Sequence, residues 1–120
     1  MTTLEIKENA VVIGGNTIDV GARILDAQAN ARIVLVLIHP DSYLTDPEYR
    51  RKRRAGLAAV RNLRAFSTSG AALWEAEMPE QADYYHKIVS LDPIEVDSFS
   101  SFRCRVDSRT GRILSKRFLK

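Results

Sequence analysis

Hydrophobic and polar residues alternate with the two-residue period of β-strands along most of the chain. Residues 17–20 read Thr-Ile-Asp-Val, and an apolar stretch at residues 11–13 precedes them. Gly14 and Gly15 lie between the two stretches. Because glycine tolerates the positive φ angles of tight turns, this pattern predicts a β-hairpin around residues 14–16.

The longest continuous apolar run occupies residues 33–38 and reads Ile-Val-Leu-Val-Leu-Ile. It is rich in β-branched side chains, and Pro40 follows it closely. Short continuous runs of this kind are typical of strands that are buried on both faces. We therefore expect residues 33–38 to form a central strand that is covered on both sides.

Apolar residues are sparse between residues 41 and 57, where Thr45, Pro47 and Glu48 provide the signals of a helix start. From residue 62 onward the period of two returns. The predicted fold is therefore mainly β (α+β), an antiparallel meander of about seven strands with one short helical or loop insert near residues 46–57. No linker divides the chain, so residues 1–120 are predicted to form a single domain.

Composition limits the class of protein. The chain is 45% hydrophobic and 28% charged, which is typical of a globular domain. No apolar run is long enough to cross a membrane, and the first residues lack the features of a secretory signal. Cys104 is the only cysteine, which excludes an internal disulfide framework. We expect a cytoplasmic protein that does not contact membranes.

Charge is segregated along the chain. Residues 50–64 carry seven basic side chains and no acid, residues 65–100 carry one lysine against seven acids, and residues 101–120 carry seven basic side chains against one acid. Such blocks affect partners and association rates rather than the fold. The first basic block favours nucleic-acid association as an alternative function, with phosphate-binding candidates Arg50, Arg51, Lys52, Arg53 and Arg54.

No set of residues in the sequence predicts a catalytic site. His39 and Asp41 could supply two metal ligands, but zinc requires three or four. Cys104 alternates with Phe102 and Val106, which predicts a buried and unreactive thiol. We therefore expect no enzymatic activity, no bound metal and no cofactor.

Five aromatic residues at alternating positions are predicted to lie in the core. An aromatic side chain that proved to be exposed would instead be a candidate anchor for a partner, because aromatic residues dominate interface energetics. The five residues are Phe66, Trp74, Phe99, Phe102 and Phe118.

Residues 62–75 and 102–115 share one order of strand, polar turn, glycine and second strand. The matching positions are Gly70 and Trp74 in the first segment, and Asp107, Thr110 and Gly111 in the second. This order resembles the repeat of quinoprotein-type β-propellers. A propeller needs at least four four-stranded blades, and this chain could supply fewer than two. The resemblance therefore implies two hairpins and no quinone or calcium site.

The whole chain is similar in kind to the small single-domain immunity proteins of bacterial contact-dependent inhibition and polymorphic-toxin systems. The shared features are its length, its β-rich meander, its segregated charge and its lack of a catalytic motif. The similarity implies tight binding to a cognate toxin domain that is encoded nearby, and neutralisation by covering the toxin's active site. Homodimerisation through an exposed sheet edge is a further expectation. The predicted contact surface is the acidic block that contains Glu75, Glu77, Glu80, Asp83, Tyr84, Tyr85, Glu95 and Asp97.

Overall fold

A computed structural model describes residues 4–41, 45, 47–54, 61–79 and 83–119. Helix α1 spans Pro47–Arg54. The strands are β1 (Leu4–Lys7), β2 (Ala10–Ile13), β3 (Asn16–Asp19), β4 (Ile24–Ala29), β5 (Val34–Ile38), β6 (Leu63–Phe66), β7 (Ala72–Glu75), β8 (Tyr85–Leu91), β9 (Ile94–Ser98), β10 (Phe102–Val106) and β11 (Ile113–Phe118).

These strands form three antiparallel sheets, each a meander of consecutive strands. The N-terminal sheet contains β1–β3, the central sheet β4–β7 and the C-terminal sheet β8–β11. The mainly β, antiparallel prediction is confirmed, but the prediction of one meander with about seven strands is wrong. Since a sheet buries its apolar face only by packing on another layer, the described strands are divided among stacked sheets.

The hairpin predicted at residues 14–16 is confirmed. Strands β2 and β3 pair in antiparallel register, with Ile13 opposite Asn16. Gly14 and Gly15 have φ angles of 53° and 82°. These left-handed conformations allow a short turn between the strands.

Strand β5 is the buried centre of the structure, as its continuous apolar sequence predicts. Its Leu35 and Leu37 side chains belong to a core shared with the C-terminal sheet. The alternate residues Val34, Val36 and Ile38 belong to a second core, shared with the N-terminal sheet. Because successive strand residues point to opposite faces, β5 contributes to both cores.

The predicted insert at residues 46–57 contains helix α1, whereas residues 46 and 55–57 lie outside the described residues. The two segments with a common sequence order form the hairpins β6–β7 and β10–β11. Both hairpins were predicted. The C-terminal sheet has β11 and β8 as its outer strands, in the order β11-β10-β9-β8.

Candidate partner-binding surface

The predicted acidic surface is not a continuous exposed face. Asp83, Tyr85 and Asp97 are buried, and Tyr84 is half-buried. Glu80 lies outside the described residues. The expectation that residues 75–97 form one contact surface therefore needs correction, because three of its members have structural partners in the interior.

Arginines on β10 neutralise the two acids of β9. Arg103 makes a bidentate interaction with Asp97, with nitrogen–oxygen distances of 2.8 and 3.0 Å. These hydrogen bonds raise the pKa of the Arg103 guanidinium above its usual value. Arg105 lies 3.8 Å from the half-buried carboxylate of Glu95. The register places each arginine opposite its acid, so little free negative charge remains here.

A buried polar network holds Asp83 and Tyr85. Asp83 Oδ1 accepts hydrogen bonds from the backbone N–H groups of Tyr84 and Ser100. The Tyr85 hydroxyl donates to the carbonyl oxygen of Glu77 at 2.6 Å. Burial, together with nearby Cys104, raises the pKa of the Tyr85 phenol well above its usual value. These side chains support the fold rather than face a partner.

Asn62, the residue before β6, links β5 to β8 close to Tyr85. Its side-chain amide donates to the carbonyl oxygens of Ile38 at 3.0 Å and Tyr85 at 2.7 Å. Its side-chain oxygen accepts the Tyr85 N–H at 2.9 Å. Cys104 is also buried, as predicted, and burial raises the pKa of its thiol.

Glu75 and Glu77 are exposed, but basic residues surround them. Together with Arg61, Arg112 and Gly111 they line a cavity of about 310 Å³. Oε1 of Glu77 accepts the backbone N–H of Ile113 at 3.1 Å. These acids therefore belong to a mixed-charge junction between β7 and the turn that precedes β11.

The predicted phosphate-binding residues lie on α1. Arg50 and Arg51 are exposed, and Arg51 is 3.7 Å from Glu48. The side chains of Lys52, Arg53 and Arg54 lie outside the described part of the structure.

Exposed apolar side chains gather at one end of the C-terminal sheet, which we call the aromatic end and define by Phe99, Phe118 and Leu119. Their exposed fractions are 66%, 55% and 42%. The Leu119 N–H donates to the carbonyl oxygen of Ser101, which ties the chain after β11 to the turn after β9. Three of the seven large hydrophobic residues that are exposed in the described chain therefore lie at the same end of this sheet.

Stacking and packing fix the rings at this end. The rings of Phe99 and Tyr84 stack with centroids 5.1 Å apart and an angle of 16° between their planes. The rings of Phe118 and Phe102 lie 5.5 Å apart. The prediction that Phe99 and Phe118 lie in the core is wrong, because no described layer covers this end. Because both side chains are exposed, Phe99 and Phe118 become candidate anchors for a partner.

Basic side chains adjoin the aromatic end. Lys116 lies on β11 with its ammonium group 4.9 Å from the centre of the Phe102 ring. Arg117 is exposed and lies opposite Arg103 in the register of β10 and β11. Paired strand residues share one face of a sheet, so the two arginines are neighbours. Sequence reasoning missed this surface, since the pairing of β11 with β10 creates it.

The described residues offer no evident metal centre. His39 Nδ1 lies 3.3 Å from Asp41 Oδ2, as their spacing suggests. No three His, Cys, Asp or Glu side chains converge anywhere in the described ranges.

In the described ranges, no helix has the length and apolar character that crossing a membrane requires.

Comparison with known proteins places the chain in a family. Neither a curated protein nor a solved structure matches the chain. A family model described as a domain of unknown function, DUF7957, matches residues 1–118, and the chain therefore belongs to this family.

Proposed function

We propose that this chain is a cytoplasmic, non-enzymatic protein-binding module that neutralises a cognate toxin domain by covering its active site. The observation that supports the proposal most is the joint exposure of Phe99, Phe118 and Leu119 at the aromatic end. A few aromatic anchors commonly provide most of the binding free energy of an interface, and arginine is enriched beside them. Arg117 is an exposed arginine next to Phe118 along β11.

The choice of a toxin domain follows from the similarity in kind to small bacterial immunity proteins. We assign the contact to the aromatic end rather than to the acidic block, because Asp83, Tyr85 and Asp97 are buried. Lys116 and Arg117 are basic residues at the border of the aromatic end. A partner with an acidic patch would therefore associate faster than a neutral one, and more so at low salt.

The test is co-expression with the product of the adjacent reading frame, followed by purification through a tag on this chain. Stoichiometric retention of that product, with relief of its toxicity to the host, is the expected result. A neighbour that is harmless, or that does not co-purify, would contradict the proposal.

Substitutions then test the assigned surface. Phe99→Ser and Phe118→Ser should each raise the Kd for the captured neighbour about 10-fold or more, the effect expected of an anchor residue. Leu73→Ser is the matched control, because Leu73 on β7 is 49% exposed and lies on a different sheet. An equal loss of affinity in the control would remove the assignment to the aromatic end.

Nucleic-acid association through residues 50–64 is the alternative proposal. Its support is the exposure of Arg50 and Arg51 on α1. Binding to generic DNA or RNA should fall steeply with salt and weaken when both residues become serine. Salt-independent binding, or unchanged binding by the serine variant, would count against it.

A further inference from the structure

One face of the C-terminal sheet carries a line of charged side chains, which we call the charged row and define by Lys87, Asp97, Arg103 and Arg117. Lys87 lies opposite Asp97, which lies opposite Arg103. Arg103 in turn lies opposite Arg117. The row therefore crosses the sheet from β8 to β11. Because paired strand residues share one face, these side chains are neighbours.

The charged row is turned away from the core. Its neighbours along β9 and β10, Val96 and Cys104, are buried in the core shared with the central sheet. Since successive strand residues point to opposite faces, the row points the other way. Lys87 and Arg117 are exposed, and the Arg103 side chain is 29% exposed. A partner can therefore reach the row from outside.

The alternation of charge along the row stops at its β11 end. From β8 to β10 the signs alternate, and Asp97 accepts hydrogen bonds from Nε and Nη2 of Arg103 at 2.8 and 3.0 Å. Between β10 and β11, however, Arg103 lies beside a second arginine, Arg117. Like charges directly opposite each other are unfavourable. Within the described ranges Arg117 takes part in no ion pair that would offset this repulsion.

A carboxylate placed between Arg103 and Arg117 would restore the alternation. Arginine presents several N–H donors in a planar fork that matches a carboxylate. The interaction with Asp97 uses Nε and Nη2 of Arg103, and Nη1 takes no part in it. That interaction also orders the Arg103 guanidinium before any partner arrives. Less conformational entropy is then lost on binding, which favours affinity.

The charged row fits a single acidic side chain better than a nucleic-acid backbone. Phosphates repeat along a nucleic-acid strand, and each carries a negative charge. A line of phosphates across this face would meet the carboxylates of Asp97 and of Glu95, which lies two residues along β9. A single carboxylate between β10 and β11 has an arginine on each side.

We propose that the partner inserts one Asp or Glu side chain between Arg103 and Arg117, at the β11 end of the charged row. This inference rests on the proposed function, since it specifies how the toxin domain docks. Phe118 of the aromatic end follows Arg117 along β11 and points to the opposite face. Because β11 is an outer strand among the described strands, one partner can contact both faces by extending around it.

Two substitutions of Arg117 separate its charge from its donor geometry. Arg117→Ala removes the guanidinium, whereas Arg117→Lys keeps the charge and loses the planar fork. With the co-expressed neighbour as the probe, we expect Arg117→Ala to raise the Kd about 10-fold or more, as for a lost anchor, and Arg117→Lys to raise it less. Arg117 is exposed, so both variants should fold, and circular dichroism would check this.

Arg23→Ala is the matched control. Arg23 is exposed and precedes β4, so it lies outside the C-terminal sheet, and its loss should leave the Kd unchanged. Equal Kd values for Arg117→Ala and Arg23→Ala would overturn the carboxylate site while leaving the proposed function intact. If the unsubstituted chain failed to retain the neighbour, the proposed function itself would fail, and the inference with it.

A double-mutant cycle tests whether the occupant is an acid of the neighbour. Each Asp and Glu of the neighbour is changed to alanine and combined with Arg117→Ala. At one acid the double variant should bind about as well as the weaker single variant, because both substitutions break one interaction. Independent effects at every acid would overturn the proposal.

Binding to generic duplex DNA distinguishes a carboxylate from a phosphate. We expect Arg117→Ala to bind such DNA no differently from the unsubstituted chain. If the substitution instead weakened DNA binding at low salt and left the Kd for the neighbour unchanged, the site would take phosphate. That result would overturn the carboxylate site.

Discussion

The indole ring of Trp74 lies directly against the backbone of Gly111. A Cβ atom at position 111 would be 2.5 Å from Cε3 of the indole. The indole N–H donates to the carbonyl oxygen of Ser108 at 2.9 Å, and the Glu77 N–H donates to the carbonyl oxygen of Gly111. The glycine turn of the second hairpin therefore docks on the tryptophan strand of the first, which joins the central and C-terminal sheets.

Gly111→Ala should destabilise the protein by about 2–4 kcal/mol, because it combines a steric clash with a left-handed backbone. Gly111 has a φ of +76°. Gly15→Ala is the control, since Gly15 has a φ of +82° but open space around it. The free energy of unfolding of the Gly15→Ala variant should fall by only about 1 kcal/mol. Urea denaturation of both variants measures the difference, and equal losses would show that the indole contact contributes nothing.

Asn62→Ala should lower the free energy of unfolding by about 2–4 kcal/mol, since buried groups would lose their hydrogen bonds. The substitution removes the partner of the Tyr85 N–H and one partner of the Ile38 carbonyl oxygen. Asn16→Ala is the control because Asn16 is exposed and makes one side-chain bond, to Thr68. It should cost less than about 1 kcal/mol. Similar losses in the two variants would contradict the role assigned to Asn62.

Phe99→Ser should leave the free energy of unfolding within about 1.5 kcal/mol of the parent, the usual upper value for an aromatic pair. Two thirds of the side chain is already exposed, and its ring contact is the stack on Tyr84. Thermal denaturation checks this expectation. A larger loss would mean that Phe99 supports the fold, and its effect on partner binding would then no longer report on contact alone.

Local pattern was sufficient where a feature depends on neighbouring residues. The hairpin at Gly14 and the buried strand β5 follow from turn chemistry and from continuous apolar sequence. The pattern failed for Phe99 and Phe118 because alternation identifies two faces of a strand without stating whether another layer covers them. Whether another layer covers a face of the strand depends on how the sheets are arranged in the fold.

The candidate site depended on register, which the sequence does not display. Asp97 looks like an available acid until its position opposite Arg103 is known. Likewise, the place of β11 as an outer strand of the C-terminal sheet follows from the order of the described strands. Both relationships join residues of different strands, so composition and spacing along the chain do not reveal them.

The buried phenol of Tyr85 should make the protein less stable in alkali. Burial raises the pKa of this phenol above its ordinary value of about 10. Above that pH the unfolded chain loses a proton that the folded protein keeps. Because the folded state then binds more protons, the free energy of unfolding must fall as the pH rises beyond about 10. Below this pH the phenol is protonated in both states, and the stabilisation that Tyr85 provides is fully present.

Tyr85→Phe should therefore show a shallower loss of stability between about pH 10 and pH 11 than the parent. At neutral pH it should be about 1 kcal/mol less stable, since the bond to the Glu77 carbonyl oxygen is lost. Cys104→Ala is the control, because burial also raises the pKa of that thiol. It should remove the earlier loss that begins near the ordinary thiol pKa of about 8.5, whereas burial, the largest cause, still raises the pKa of the phenol. Urea denaturation at several pH values separates the two, and a parental slope in Tyr85→Phe above pH 10 would rule out the phenol as the cause.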